Sequence, residues 1–255
     1  MPTLRKGMEL TIVPDLMTPE TERDILEHAW VVIPAFNEEE LIARVIHDVR
    51  RLVPRVIVVD DGSRDQTLEA SKAAGAVVLV HMLNLGQGAA LRTGIEYALS
   101  QGARCLFTFD ADGQHSAESL AVLARAMAEK RVDVVLGSRR LGKAKNLPKF
   151  RRLVLWAGVW FTRVHTGLPV TDTHNGLRLF RAEAAARLEI SQPRMAHASE
   201  ILKRIAVLRL PWAEAPVTIL YTEYSLRKGQ KLGNAFHILR DLVAHVLAGS
   251  PRDGY

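Results

Sequence analysis

The chain has 255 residues, with 34 Lys and Arg against 28 Asp and Glu, a formal charge of +6, and 48% hydrophobic residues. That apolar content excludes disorder as the main state, and ordinary Gly and Pro usage without an internal repeat excludes collagen-like and low-complexity classes. The lone cysteine, Cys105, excludes an intrachain disulfide framework and a Cys-rich metal site, and points to a reducing compartment.

No apolar h-region follows the charged first residues, and no run approaches the ~18–20 apolar residues that a spanning helix needs. A cytoplasmic protein is expected. The basic balance suits an anionic partner: a phosphate, a lipid headgroup or a nucleic acid.

In chain order, a short helix at 19–29 belongs to an N-terminal extension, 1–29. Short apolar, β-branched runs at 30–34, 55–60, 76–80, 105–110 and 132–137 read as strands covered on both faces. Amphipathic segments at 38–52, 65–74, 87–100 and 116–129 read as the helices between them. This alternation predicts an α/β fold with a Rossmann-like, mostly parallel central sheet, whose ligands sit beyond the carboxyl ends of the strands. After Gly137 the rhythm breaks. Residues 138–152 read as a basic, turn-rich loop, 153–166 as a helix rich in Trp and Phe, 197–208 as another helix, 217–221 as a strand and 234–247 as a closing helix. No linker divides 30–247, so one domain is expected, followed by a tail at 248–255.

The acids gather where strands end. Asp60 and Asp61 close the second strand before the turn Gly62-Ser63. That pattern suits a helix cap and turn, or a carboxylate holding the ribose or base of a nucleotide. Asp110 and Asp112 flank Ala111 at the end of a wholly apolar strand, with Gln114 and His115 next. Two carboxylates so placed repel each other and resist burial unless a cation lies between them. Mg²⁺ or Mn²⁺ fits, because such ions accept few protein oxygens and leave sites for water and phosphate. A solvated acidic turn before Ser116 is the plainer alternative. The glycines Gly86, Gly88 and Gly94 lack dinucleotide-fingerprint spacing, and close helix–sheet packing explains Gly88 and Gly94 equally well. A P-loop is absent.

Further on, Thr171, Asp172, His174, Asn175 and Arg178 share a segment that reads as a loop, either an Asx-type turn or part of a site. Glu200 opens a helix as an ordinary first-turn acid or a functional one. Arg227, Gly229 and Lys231 form a basic turn suited to clamping phosphate oxygens, or simply a solvated loop.

Taken in order, Pro34-Ala35-Phe36-Asn37-Glu38, Asp60-Asp61-Gly62-Ser63, Asp110-Ala111-Asp112, Asn175-Gly176-Leu177-Arg178 and Arg227…Lys231 resemble the family 2 glycosyltransferases, which have the GT-A fold. The resemblance runs from about residue 31 to 247 and is greatest to the dolichyl- and polyprenyl-phosphate sugar transferases. It implies that Pro34, Ala35, Asn37, Glu38, Asp60 and Asp61 line the nucleotide, with Gly88 and Ala111 beside it. It also implies that Asp110, Asp112 and Gln114 hold Mg²⁺ or Mn²⁺, and that Arg139 lies near the phosphates. Arg178 falls on the acceptor side, and Arg227 and Lys231 grip the donor diphosphate or the acceptor phosphate.

The activity so implied is inverting transfer of a sugar from a UDP- or GDP-sugar to a lipid phosphate, with a hydroxyl of a surface polysaccharide or glycolipid as the alternative acceptor. A hydroxyl needs a base, for which Asp172 and then His174 are the candidates. Three other classes fit less well. A haloacid-dehalogenase-like phosphohydrolase carries its paired aspartates on the first core strand, not the fourth. A binding-only regulator would not need the intact acids and bases, and no recognition motif supports a nucleic-acid partner. The run 153–161, flanked by Lys149, Arg151, Arg152 and Arg163, either packs in the core or lies in the plane of a membrane surface.

Overall fold

The computed structural model describes residues 21–145, 158–160, 162–164, 166–173, 175–192 and 197–220. Helix α1 (Glu22–His28) opens on a capping box, in which Thr21 Oγ1 accepts the Asp24 N–H and the Asp24 carboxylate accepts the Thr21 N–H. Its Ile25 is buried, and Glu22 meets Arg125 of α5 (Glu118–Lys130) at 2.8 Å. The extension helix is thus packed against the domain.

Then come β1 (Ala29–Ala35), α2 (Ile42–Arg50), β2 (Arg55–Asp60), α3 (Thr67–Ala73), β3 (Val77–Val80), α4 (Gln87–Ser100) and β4 (Cys105–Thr108). After α5 follow β5 (Val134–Lys145), β6 (Arg178–Arg181), α6 (Ala182–Arg187), α7 (His197–Val207) and β7 (Trp212–Leu220). The seven strands lie in the order β3-β2-β1-β4-β6-β5-β7. Strands β3, β2, β1 and β4 run parallel, so Ala35, Asp60 and Val80 finish on one edge. Strand β6 is antiparallel to both β4 and β5, while β7 is parallel to β5.

Successive strand residues point to opposite faces, and both faces are covered. Val31, Ile33 and Phe107 pack with Ile46 of α2 and Leu120 of α5 on one side. Val32, Ile57, Leu106 and Phe180 pack with Ile95 of α4 and Ile201 of α7 on the other. Helix α4 lies so close to the sheet that a Cβ on Gly94 would sit 2.3 Å from Val32 Cγ1. The close-packing explanation of that glycine holds. Among the described residues no helix is long and apolar enough to cross a membrane.

Four local expectations need correction. The helix expected from 38 begins only at Ile42: residues 38–41 form a turn, in which the Glu38 carbonyl accepts the Leu41 and Ile42 N–H groups at 3.1 and 2.9 Å while its own N–H goes to Thr67 Oγ1 at 2.7 Å. The loop expected from 138 is strand as far as Lys145. Its basic, glycine-containing sequence reads as a turn, but Lys143–Lys145 pair with Thr218–Leu220 beyond a register shift after Ser138. Arg178, expected in a loop, instead opens β6 opposite Thr108. The last strand also starts earlier than expected, at Trp212. Residues 146–152, most of 153–161, Tyr221 and the closing helix expected at 234–247 lie outside the described residues.

Candidate active site

The parallel strands deliver the acids to one edge, and their loops tie together there. Asn37, at φ 53°, donates its N–H to Ser63 Oγ at 2.9 Å and accepts the Arg64 N–H on Oδ1 at 2.8 Å. The left-handed backbone suits asparagine better than most residues. Asp60 is buried and accepts the Ser63 N–H at 3.1 Å. Pro34 and Ala35 pair with Val59 and Asp60, and Glu38 is buried beside them. The residues expected around a nucleotide therefore stand together.

Asp61 has a different setting. Its carboxylate accepts the N–H groups of Leu85 and Gly86 at 2.9 and 2.7 Å and meets His81 Nδ1 at 2.7 Å. His81 Nε2 in turn lies 3.0 Å from Thr93 Oγ1. Asp61 thus shapes the segment 81–86 between β3 and α4. Gly88 has a packing reason: a Cβ there would lie 2.0 Å from the Gln192 carbonyl.

Just past β4, Asp110 and Asp112 occupy contrasting environments. Asp110 receives Gln87 Nε2 at 3.0 Å and lies 3.2 Å from His115 Nε2. Burial alone would raise its pKa. The His115 hydrogen bond and the charges of His115, Arg178 and His197 outweigh it and hold the carboxyl below its ordinary value. Asp112 goes the other way, pushed up to about 6 by burial first and the charge of Asp110 second. Gln114 donates its N–H and its side-chain amide to Asp112 at 3.0 and 2.7 Å. Ala111 is buried between them.

This is the setting a divalent cation would relieve: one carboxylate held ionised, its neighbour resisting ionisation for want of positive charge. No group of three or more His, Cys, Asp or Glu that could hold an ion occurs among the described residues. Two carboxylates with Gln114, leaving positions for water and phosphate, fit Mg²⁺ or Mn²⁺ better than a caged ion.

The facing wall comes from the second half of the chain. Arg139 forks onto Asp172, with Nε to Oδ2 at 2.6 Å, Nη2 to Oδ1 at 2.9 Å and its N–H to Oδ2 at 3.0 Å. Glu214 accepts the Thr171 N–H and hydroxyl at 2.7 and 2.8 Å and the Asp172 N–H at 3.3 Å, fixing that fork from β7. Gly176 passes so near the metal-side acids that a Cβ would lie 2.1 Å from Asp110 Oδ2. Arg178 is buried, its pKa lowered to about 10 by burial against the pull of Asp110 and Asp172. Its Nη1, with Asn175 Nδ2 and His115 Nδ1, is buried without a hydrogen-bond partner among the described residues. Three unmet polar atoms in one neighbourhood mark a place built for something more than packing.

The structure therefore gathers all the expected residues between Pro34 and Arg178 around one sheet edge, except His174, which with Arg227 and Lys231 lies outside the described residues. Sequence reasoning missed His81, Gln87 and Glu214. Gln87 carried a faint signal as the first helical residue after Gly86. Glu214 carried none, since its partners lie more than 40 residues away in sequence.

Comparison with known proteins agrees with this geometry. Residues 30–188 match the family described as Glycosyl transferase family 2. A UDP-N-acetylglucosamine–dolichyl-phosphate N-acetylglucosaminyltransferase of Methanococcus voltae is 30% identical over 84% of this chain and 94% of its own. An undecaprenyl-phosphate mannosyltransferase of Micrococcus luteus is 36% identical over 62% of this chain and 68% of its own. Among solved structures, glucosyl-3-phosphoglycerate synthase of Mycobacterium tuberculosis with Mn²⁺, UDP and phosphoglyceric acid superposes with a TM-score of 0.67. That likeness is at 19% identity and covers 92% of this chain and 84% of that one. The same enzyme has been crystallised with Mg²⁺ and UDP. The chain belongs to glycosyl transferase family 2, and its fold is the GT-A fold.

Proposed function

We propose that this protein moves a sugar from a nucleoside-diphosphate sugar to a polyprenyl- or dolichyl-type lipid phosphate, with inversion at the anomeric carbon. Family membership supports sugar transfer, and the two relatives named for lipid-phosphate acceptors support the acceptor class. The observation that carries the choice of acceptor is the fork on Asp172. Both of its oxygens are engaged by Arg139, an arrangement that positions a loop rather than one that frees a base. A phosphate acceptor is already anionic near neutral pH and needs no proton removed, whereas a hydroxyl would.

In this reading Pro34, Ala35, Asn37, Glu38 and Asp60 line the base and ribose, with Ala111 beside them, and Asp61 acts by shaping the 81–86 segment. Mg²⁺ or Mn²⁺ held by Asp110, Asp112 and Gln114 would neutralise charge on the donor diphosphate. Gln87 and His115 hold Asp110 in place from two sides. Arg227 and Lys231 stabilise the leaving diphosphate where its charge grows. Arg139 and Arg178 face the acceptor phosphate and the transferred sugar from the second half of the chain.

The test is transfer of labelled sugar from UDP-N-acetylglucosamine and GDP-mannose, with Mn²⁺, to undecaprenyl phosphate and to the matching undecaprenol. Product with the phosphate alone is expected, and product with the alcohol alone would favour the hydroxyl-acceptor alternative.

A further inference from the structure

Among the described residues, an apolar loop beside the Asp60 edge has no packing explanation. Between β3 and α4, Met82 is 93% exposed, Leu83 73% and Leu85 50%, next to Val80 on the edge strand at 50%. Large apolar side chains clustered in water at one spot are costly and usually mark a contact surface. Looseness is not the cause. The loop is fixed at its start by His81 on Asp61 and Thr93, at its end by the Leu85 and Gly86 N–H groups on Asp61, and in the middle by Gly62, where a Cβ would sit 2.8 Å from the Leu83 carbonyl carbon. A buried carboxylate spends its hydrogen bonds on holding three hydrophobic side chains outward.

The loop's place narrows what it meets. Strand β3 is parallel to β2 and β1, so residues 81–86 leave on the edge that carries Asp60 and Asp110. The next residue, Gln87, touches Asp110 directly. Exposed arginines flank it in sequence: Arg64 follows the Gly62–Ser63 turn that packs on the loop, and Arg92, which meets Glu96 at 3.8 Å, lies one turn and a half into α4. Apolar tips between arginines, on a chain of net charge +6, are complementary to a bilayer with anionic headgroups.

We propose that the 82–85 loop is a membrane-docking element, which inserts Met82, Leu83 and Leu85 into the headgroup–acyl boundary of an anionic bilayer. It rests on the reading that the acceptor is a lipid phosphate. Docking there sets the Asp110–Asp112 edge close to the bilayer surface, where a lipid phosphate presents itself, without a spanning helix. A single short apolar patch gives weak, reversible attachment.

Flotation of the full chain with phosphatidylcholine vesicles, with and without phosphatidylglycerol, tests the surface by itself. Wild-type protein is expected to float with the anionic vesicles, and Met82→Asp/Leu83→Asp to float at least about tenfold less. The conservative Met82→Leu/Leu83→Met should float like wild type. UDP or GDP binding should be unchanged in all three, as should transfer to a short, water-soluble prenyl phosphate. Transfer to undecaprenyl phosphate in vesicles should fall with flotation in the Asp variant alone. Flotation that survives the Asp pair would overturn the proposal, as would a wild type that does not float. Loss of nucleotide binding in that variant would also overturn it, by making the loop part of the base pocket. Normal flotation without transfer to any prenyl phosphate would leave the docking surface standing and overturn the acceptor reading instead.

Discussion

The two halves of the site are built with different donors. In the first half, from β1 to β4, carboxylates are held largely by main-chain N–H groups: Asp60 by Ser63, Asp61 by Leu85 and Gly86, Asp112 by Gln114. In the second half, side chains reach across long stretches of sequence, to other side chains and to main-chain N–H groups alike. Arg139 grips Asp172 33 residues away, and Glu214 grips the Thr171 hydroxyl across 43. Main-chain donors come with the fold and cost little to position, so the first half is set once the parallel strands align. The second half depends on a few charges, and there two buried donors, on Asn175 and Arg178, stay unmet among the described residues. The first half thus closes most of its own hydrogen bonds, leaving His115 Nδ1 unmet among the described residues, while the second leaves two donors open to oxygens from outside.

That contrast can be broken from either side. The largest effect is expected from Asp110→Asn, which should cut turnover by about 10³-fold in protein that still folds; a loss under tenfold in a steady-state assay would remove Asp110 from the metal site. Next is Asp172→Asn. Arg139 and Asp172 are 11% and 4% exposed, so half-breaking the pair leaves a buried cation, at a cost of about 3 kcal/mol in urea unfolding. Adding Arg139→Gln should recover part of it. Recovery would show a pair that positions the loop, whereas no stability loss would free Asp172 to act as a base.

Asp61→Asn should cost less, about 1.5–3 kcal/mol, and should speed amide exchange at Leu85 and Gly86 selectively. Uniform exchange would mean that the loop is held by something else. The smallest effect has the opposite sign. Without metal Asp112 titrates near about 6 instead of 3.8, so the folded chain binds more protons than the unfolded chain between those values. Its contribution is therefore most favourable at low pH and is lost as pH rises through about 6. Asp112→Asn should stabilise the metal-free protein at pH 7.5 by about 1–2 kcal/mol, less than the full shift because the group is partly exposed, and by almost nothing below about pH 3. A destabilised variant at pH 7.5 would contradict the crowding of the two carboxylates.

The same contrast explains what could be read from sequence. Asp60 and Asp110 are legible because each closes a short apolar run, with Asp112 two residues further on, and strand ends need no knowledge of the partner. Strand β6 was missed because four residues, two of them Arg, carry no periodicity. Its antiparallel pairing with β4 and β5 depends on chain far away. The continuation of β5 looked like a loop for the same reason, its partner being β7. Asp61 is instructive, since adjacency to Asp60 suggested a shared ligand role. Only the fold shows alternation sending it to the 81–86 loop. Glu214 has no local signature, because its role is created by where β7 lands.

The most direct measurement is the melting temperature of wild type and Asp112→Asn against UDP and GDP, each with and without Mn²⁺. A ligand bound only by the folded chain stabilises it by about 2.7 kcal/mol at a hundredfold excess over its Kd. The account predicts a shift with one nucleotide that requires Mn²⁺ in the wild type and is absent in the variant. An equal shift without Mn²⁺, or in Asp112→Asn, would contradict a metal-bridged donor site at the end of β4.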